Sequence, residues 1–238
     1  MRVLLAPNAF KGTLSAQAAA AALAQGLRGA RPAWALDRLP LADGGPGTLA
    51  ALQAALGGRL RTVAVEDALG RQRRARWLDL HRGLAVVESA QALGLEWIEP
   101  GRRDALAASS EGLGRLLLAV AAAGKREVLL GLGGSASTDG GSGAARALGW
   151  RFLGRGGQDL EPGGGALAGL WAVLSPRQAR LGRLKLRVLC DVDAPLSGVH
   201  GAARVYSPQK GASPAGVRRL ELGLRRLAAC SAPALAKV

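Results

Sequence analysis

Five stretches of the chain set charged side chains at the end of an apolar run or in a turn bounded by Gly or Pro: Lys11 in PNAFKGTLS, Asp43 in ADGGPGT, Asp139 in VLLGLGGSASTDGGSGA, Asp191 and Asp193 in CDVDAPLSG, and Lys210 in SPQKGA. Together these residue types suit the handling of an anion such as phosphate. Carboxylates hold magnesium or take a proton, lysines neutralise negative charge, and glycines let a ligand lie directly against backbone N–H groups. Each residue also has a commonplace reading. An Asp beside Gly is a frequent turn or helix-entry residue, a loop lysine is ordinarily solvated, and turn chemistry ahead of Pro195 accounts for Asp193.

The longest of these stretches, residues 128–144, reads as a buried strand that breaks into a loop carrying Gly133, Gly134, Gly140 and Gly141 and re-enters a helix near Gly143. Such a junction points several N–H groups at one place, the outline of a phosphate cradle. It is not a Walker loop, because GxxxxGK[ST] is absent, and GLGGSA does not satisfy the GxGxxG spacing of a dinucleotide fingerprint. Gly makes up 35 of 238 residues, against a usual ~7%, so a flexible Gly-rich turn is the competing reading. Asp139 inside the loop favours the cradle, since a metal ligand or base is wanted beside phosphate.

The elements that would position these groups follow a repeated grammar. An apolar run over 2–6 ends at Pro7, and Ser15 opens an Ala-rich helix that stops at Gly29. A second run over 36–41 leads into the Asp43 turn, followed by a helix over 48–56 that stops at Gly57 and Gly58. In open α/β sheets ligands gather at the carboxyl ends of strands, where Lys11 and Asp43 fall. Three closely spaced runs over 61–66, 74–80 and 84–88 interrupt this alternation and read as antiparallel strands, the expected place of a domain change. Glu88, after LAVV, reads as a site carboxylate or as a capping acid, with the cap preferred. A helix over 109–123 ending at Gly124 precedes the strand 127–132 that feeds the Gly-rich loop. After a helix over 144–148 and a Gly-rich hairpin or loop over 154–165, the run 184–190 ends in Asp191 and Asp193. In an extended chain that two-residue spacing puts both carboxylates on one side, where they can share a magnesium ion. Lys210 lies on a Pro- and Gly-bounded turn before a basic helix over 214–229.

With 238 residues and 49% hydrophobic side chains the chain can build one large α/β domain or two small ones. The formal net charge of +15, from 32 Lys+Arg against 17 Asp+Glu, invites a nucleic-acid reading. The excess is mostly arginine, single or paired as at Arg73 and Arg74, with no long basic run and few aromatic side chains to stack bases. A positive field attracts anionic metabolites equally well. Cys190 and Cys230 have no CxxC spacing and only His81 and His200 for company, which argues against a zinc site and a disulfide scaffold and fits a reducing cytoplasm. The apolar run before Pro7 is too short for a signal peptide. The longest apolar candidate, 116–123, has the length of a core helix and not the ~20 residues of a membrane span.

The stretches APNAFKGTLSA from Ala6, LADGGPGTLAAL from Leu41, GLGGSASTDGGSGAARALG from Gly131, PGGGALAGL from Pro162, CDVDAPLSG from Cys190 and SPQKGA from Ser207 resemble, in order and spacing, the bacterial glycerate kinases of the two-domain α/β type. The resemblance covers nearly the whole chain. It implies an α/β fold in which a Rossmann-like parallel-sheet domain carries an inserted second, mixed α/β domain. Residues 1–66 would begin the first domain, and residues 67–238 would form the inserted domain and the start of the return. The implied reaction moves the γ-phosphoryl group of ATP, with Mg2+, to a hydroxyl of D-glycerate in the cleft between the domains. In that scheme Lys11, Asp43 and Asp191 are the catalytic candidates. Gly44, Gly133, Gly134, Ser135, Asp139 and Lys210 would bind substrate or phosphate, and Asp191 and Asp139 would hold the metal. Which acid is base and which is metal ligand stays open. The implied partner is glycerate, with neither nucleic acid nor membrane expected and a homodimer left open.

The chain also departs from the family pattern, which usually has Asp-Ser in place of Asn8-Ala9, Glu in place of Pro46 and Thr-Asn in place of Ser137-Thr138. Asn8 keeps an oxygen but loses a charge, and Pro46 loses a carboxylate, so weakened metal binding or activity is expected. Family members continue well beyond SPQKGA through a segment that completes the first domain, whereas this sequence stops at Val238. The expectation is therefore a first sheet short of strands, with exposed edges and apolar surface. The alternative to an active kinase is an impaired family member that binds ligand without turnover.

Overall fold

The computed structural model describes residues 1–10, 12–178 and 180–235, with side chains described as far as residue 232. The run RVLL forms strand β1 (Arg2–Leu5), and the Ala-rich segment after Ser15 forms helix α1 (Ala16–Ala30). Alanine is the best helix former, and the Ser15 hydroxyl accepts the Ala18 N–H at 3.1 Å, which satisfies one orphan donor of the first turn. Ala16, Ala19, Ala20 and Ala24 make its buried stripe. The helix leads to β2 (Ala35–Arg38), which pairs in parallel with β1 in a two-stranded sheet. Helix α2 (Thr48–Leu56) follows and ends at Gly57, whose φ of +72° suits the glycine.

The remaining elements are β3 (Arg59–Glu66), β4 (Gln72–Asp79), β5 (Leu84–Glu88), α3 (Ala90–Leu93), α4 (Glu111–Ala122), β6 (Glu127–Gly131), α5 (Ser142–Ala147), β7 (Arg151–Leu153), β8 (Ala172–Leu174), β9 (Lys185–Leu189), α6 (Ala202–Tyr206) and α7 (Pro214–Leu235). Five strands form one mixed sheet in the order β3-β4-β5-β6-β9. β3, β4 and β5 pair antiparallel, as their close spacing predicts, while β5, β6 and β9 run parallel. Glu66 of β3 stands opposite Gln72 of β4. A division between residues 66 and 67 would therefore cut a hydrogen-bonded hairpin, and the change of sheet lies earlier, between α2 and β3. The Gly-rich segment after β7 forms a short return, with Leu153 bridged to Asp159, and then a 3-10 helix over Gly164–Gly169.

One face of the five-stranded sheet is covered by α3 and α4. Leu113, Leu116, Leu117 and Val120 of α4 recur at helical spacing and pack with Val65, Trp77, Val87 and Val128. Each such side chain removed from water contributes roughly 2 kcal/mol, so this layer fixes the sheet from which the site loops emerge. On the other face Leu49 of α2 meets Leu78, Leu80 and Val86. Helix α7 supports the rest, with Leu220 and Leu224 against Ala105 and Ala203, and Leu227 against Phe152, Leu167 and Leu170. At the sheet edge β9 leaves Leu186 and Val188 exposed. Among the described residues no helix is long and apolar enough to cross a membrane.

Candidate functional site

Because β5, β6 and β9 are parallel neighbours, the loops that follow them leave on the same side of the sheet. The Asp43 turn, arriving from the other sheet, lands on those strand ends at backbone distance. Gly44 has φ +93°, and a Cβ there would stand 2.7 Å from the Leu189 carbonyl oxygen; a Cβ on Gly131 would stand 2.2 Å from the Gly44 oxygen. No side chain fits at either position, so glycine is what lets these segments touch. Gly133 donates its N–H to the Gly44 oxygen at 3.2 Å, and Leu132 donates to the Leu189 oxygen at 3.3 Å. The structure thus brings Asp43, Gly44, Gly133, Gly134 and Ser135 together, with Asp191 two residues beyond Leu189.

Asp43 is exposed, and its loop is ordered by its own carboxylate: Oδ1 accepts the Gly45 N–H at 2.9 Å, and Oδ2 accepts from Asn8 Nδ2 at 3.2 Å. Asn8 in turn accepts the Ala9 N–H at 2.7 Å, so the loop after β1 lies against the Asp43 turn. Lys11, expected beside them, lies outside the described residues. Asp191 and Asp193 sit on an exposed non-helical stretch after β9. Among the described residues no three His, Cys, Asp or Glu side chains gather as a ready metal cage. Magnesium is commonly held by only one or two carboxylates plus phosphate oxygens. The exposed oxygen donors of Asp191 and Asp193 fit that demand.

Asp139 does something different from what its place in the loop suggests. The residue is 2% exposed. Its Oδ2 accepts the Ser110 N–H at 2.7 Å, the Ser110 hydroxyl at 2.7 Å and the Gly143 N–H at 3.1 Å, while Oδ1 accepts the Gly141 N–H at 3.1 Å. Ser110 Oγ then accepts the Ala144 N–H at 2.9 Å. The donors at the start of α5 are consumed by the protein's own carboxylate and hydroxyl. Asp139 was expected to bind phosphate and metal; in this geometry its carboxylate is buried and takes four donors from the protein itself, three of them on Oδ2. Asp139 is a loop pin.

The rest of the Gly-rich loop is also held. Leu95 donates to the Gly134 oxygen at 2.9 Å, and Ala136 donates to the Leu93 oxygen at 2.7 Å, so the loop adds a short antiparallel bridge to the segment after α3. From beneath, Lys210 Nζ donates to the Ser137 carbonyl at 2.5 Å. Burial pushes the Lys210 ammonium down to about 8, opposed by the charge of Asp139. Lys210 was expected to meet phosphate or a substrate carboxylate; its ammonium is instead turned into the protein against the loop. Among the described residues the N–H groups of Gly134 and Ser135 find no acceptor, and Gly134 is exposed. These amides, with the Ser135 hydroxyl, are donors open to an anion beside the Asp43 turn. The Pro46 ring lies beside them, 2.8 Å from where a Gly134 Cβ would stand.

Two residues of the site's framework were not singled out for this role by sequence: Ser110, which ties Asp139 to α4, and Ser89, whose N–H meets the Gly131 oxygen at 2.8 Å. The Ser109-Ser110-Glu111 run signals a helix start locally, but nothing local says that its hydroxyl reaches across 29 residues.

The profile of the glycerate kinase family matches residues 3–238 of the chain. A glycerate kinase from Bacillus subtilis (strain 168) is 41% identical over 215 residues, which make up 90% of this chain and 56% of that protein. A glycerate 2-kinase from Escherichia coli (strain K12) is 38% identical over 230 residues, 96% of this chain and 60% of that protein. A solved structure described as a glycerate kinase 2 from Salmonella typhimurium LT2 superposes with a TM-score of 0.86 at 39% identity, covering 99% of this chain and 64% of that one. The chain thus spans less than two thirds of the length of these relatives. With the profile match running through almost every residue, and relatives of about 40% identity along most of its length, the chain belongs to the glycerate kinase family.

Proposed function

We propose that this protein transfers the γ-phosphoryl group of ATP to a hydroxyl of D-glycerate. The observation that carries the reading is the backbone contact of Gly44 with Gly133 and Leu189, which gathers an acid-bearing turn, a pair of free amides and a second acidic loop at one place in a chain of this family. Phosphoryl transfer needs positioning and charge stabilisation more than covalent help from the protein. The amides of Gly134 and Ser135 and the Ser135 hydroxyl donate to phosphate oxygens. Asp43, at the surface of its turn, orients the attacking hydroxyl or takes its proton. Asp191 is the acid that would hold Mg2+, whose charge would offset that of the phosphates. Lys11 is the cation assigned from sequence to clamp the phosphates. Asp139 and Lys210 keep the Gly-rich loop in shape from behind. The name of the Escherichia coli relative directs the choice of acceptor to the 2-hydroxyl.

The test is direct. Purified protein with MgATP and D-glycerate should release ADP, and either Asp43→Ala or Lys11→Ala should remove most of that rate. Unchanged turnover in both variants would remove the site assignment. No ADP, but a melting temperature raised by ATP or glycerate, would identify a member that binds without turnover.

A further inference from the structure

The buried carboxylate of Glu88 is not used in the chemistry above, yet it lies between the two loops that are. Glu88 closes β5 and is 2% exposed. Its side chain reaches the start of α2, 39 residues earlier in the chain: Oε1 accepts the Leu49 N–H at 2.5 Å, and the Gly47 backbone adds a favourable interaction with the carboxylate. Oε2 accepts from Gln91 Nε2 at 3.2 Å, and Arg76 of β4 adds a favourable charge. Glu88 is a capping acid, as its sequence context favours, but it caps α2 and not the helix that follows it. The next residue grips the other loop. Ser89 donates its N–H to the Gly131 oxygen and its hydroxyl to the Gly133 oxygen, at 2.8 and 3.4 Å.

We infer that Glu88 is a positioning residue for the phosphoryl-transfer site. Its carboxylate anchors the α2 start, and with it the turn that presents Asp43, while Ser89 anchors Gly131 and Gly133. One dipeptide at a strand end thus sets the spacing between the acid and the anion-binding amides. The inference rests on the glycerate kinase reading of this site, and its physical part stands apart from turnover. A misplacement of about 1 Å at a reacting group costs on the order of a hundredfold in rate, so a bolt between two site loops acts on kcat more than on substrate affinity.

The experiment compares the full chain with Glu88→Gln, which keeps the volume and loses the charge, and with Glu88→Asp, which keeps the charge and withdraws it by one methylene. Hydrogen–deuterium exchange is followed without ligand in peptides covering 43–52 and, as a control, 111–122. The Gln variant should exchange about tenfold faster in 43–52 with the control unchanged, and the Asp variant should fall between it and the parent. With MgATP and D-glycerate, kcat of the Gln variant should fall by about tenfold or more while KM stays within about threefold. Equal acceleration in both peptides, or none in 43–52, overturns the positioning role. So does an accelerated 43–52 with a parental kcat. Should the Gln variant not fold, an Asp variant that exchanges like the parent overturns it too. If the parent makes no ADP, the reading of the reaction fails while the exchange data still decide whether Glu88 holds the loop.

Discussion

Ser110 gives both its backbone N–H and its hydroxyl to a single oxygen of Asp139, each at 2.7 Å, and so ties the start of α4 to the start of α5 through one buried carboxylate. The arrangement assigns Asp139 to the architecture of the Gly-rich loop, and it separates two outcomes for the same mutation. A pin removed from a buried network leaves several donors without an acceptor. Asp139→Ala should therefore cost on the order of 3 kcal/mol or more in urea unfolding without any ligand, and Ser110→Ala about 1–3 kcal/mol. Were Asp139 a metal ligand in the first place, Asp139→Asn would lower magnesium affinity and leave the metal-free melt nearly as it is. Titrating Mg2+ against the melting temperature of that variant tells the two apart.

Asn8 donates to Asp43 at 3.2 Å, where the family pattern usually carries Asp. Asn8→Asp would place two carboxylates side by side, which repel when empty and together favour a divalent cation. The expected result is a lower melting temperature in chelator and a larger rise on adding Mg2+ than the parent shows. A gain of about tenfold in apparent Mg2+ affinity corresponds to about 1.4 kcal/mol. A variant whose melting temperature ignores both chelator and Mg2+ would show that Asp43 does not lie at a cation site.

What the sequence made legible is what local chemistry decides. Ser15 capping α1, Gly57 stopping α2 and the tight spacing of β3, β4 and β5 are all written within a few residues of where they act. The gathering of site loops followed from one rule about strand ends together with the family resemblance. The partners of the buried charged groups were not legible. Asp139 finds Ser110 across 29 residues, Glu88 finds Leu49 across 39, and Lys210 finds Ser137 across 73. Those choices are made by packing of α4, α2 and the turn after α6 on the sheet, and no periodicity in the chain encodes them. Loop glycines and acids had suggested a phosphate at the start of α5, yet once Asp139 is folded inward the anion there is the protein's own.

Lys210 carries a dependence on pH that can be signed in advance. Burial lowers the ammonium from 10.5 to about 8 in the folded protein. Between those values the unfolded chain holds the proton and the folded chain sheds it, so unfolding takes up protons and stability rises with pH. The contribution is fully present above about 10.5 and is lost as pH falls through about 8. Its full size is about 3 kcal/mol. Lys210→Met abolishes the titration and leaves the Ser137 carbonyl without its donor, a loss that does not vary with pH. Urea unfolding of the two proteins from pH 7.5 to about 10.5 should therefore show the parent gaining on the variant across the window. A constant difference over that range would mean that the ammonium is not buried against Ser137, and the loop would then need some other support from beneath.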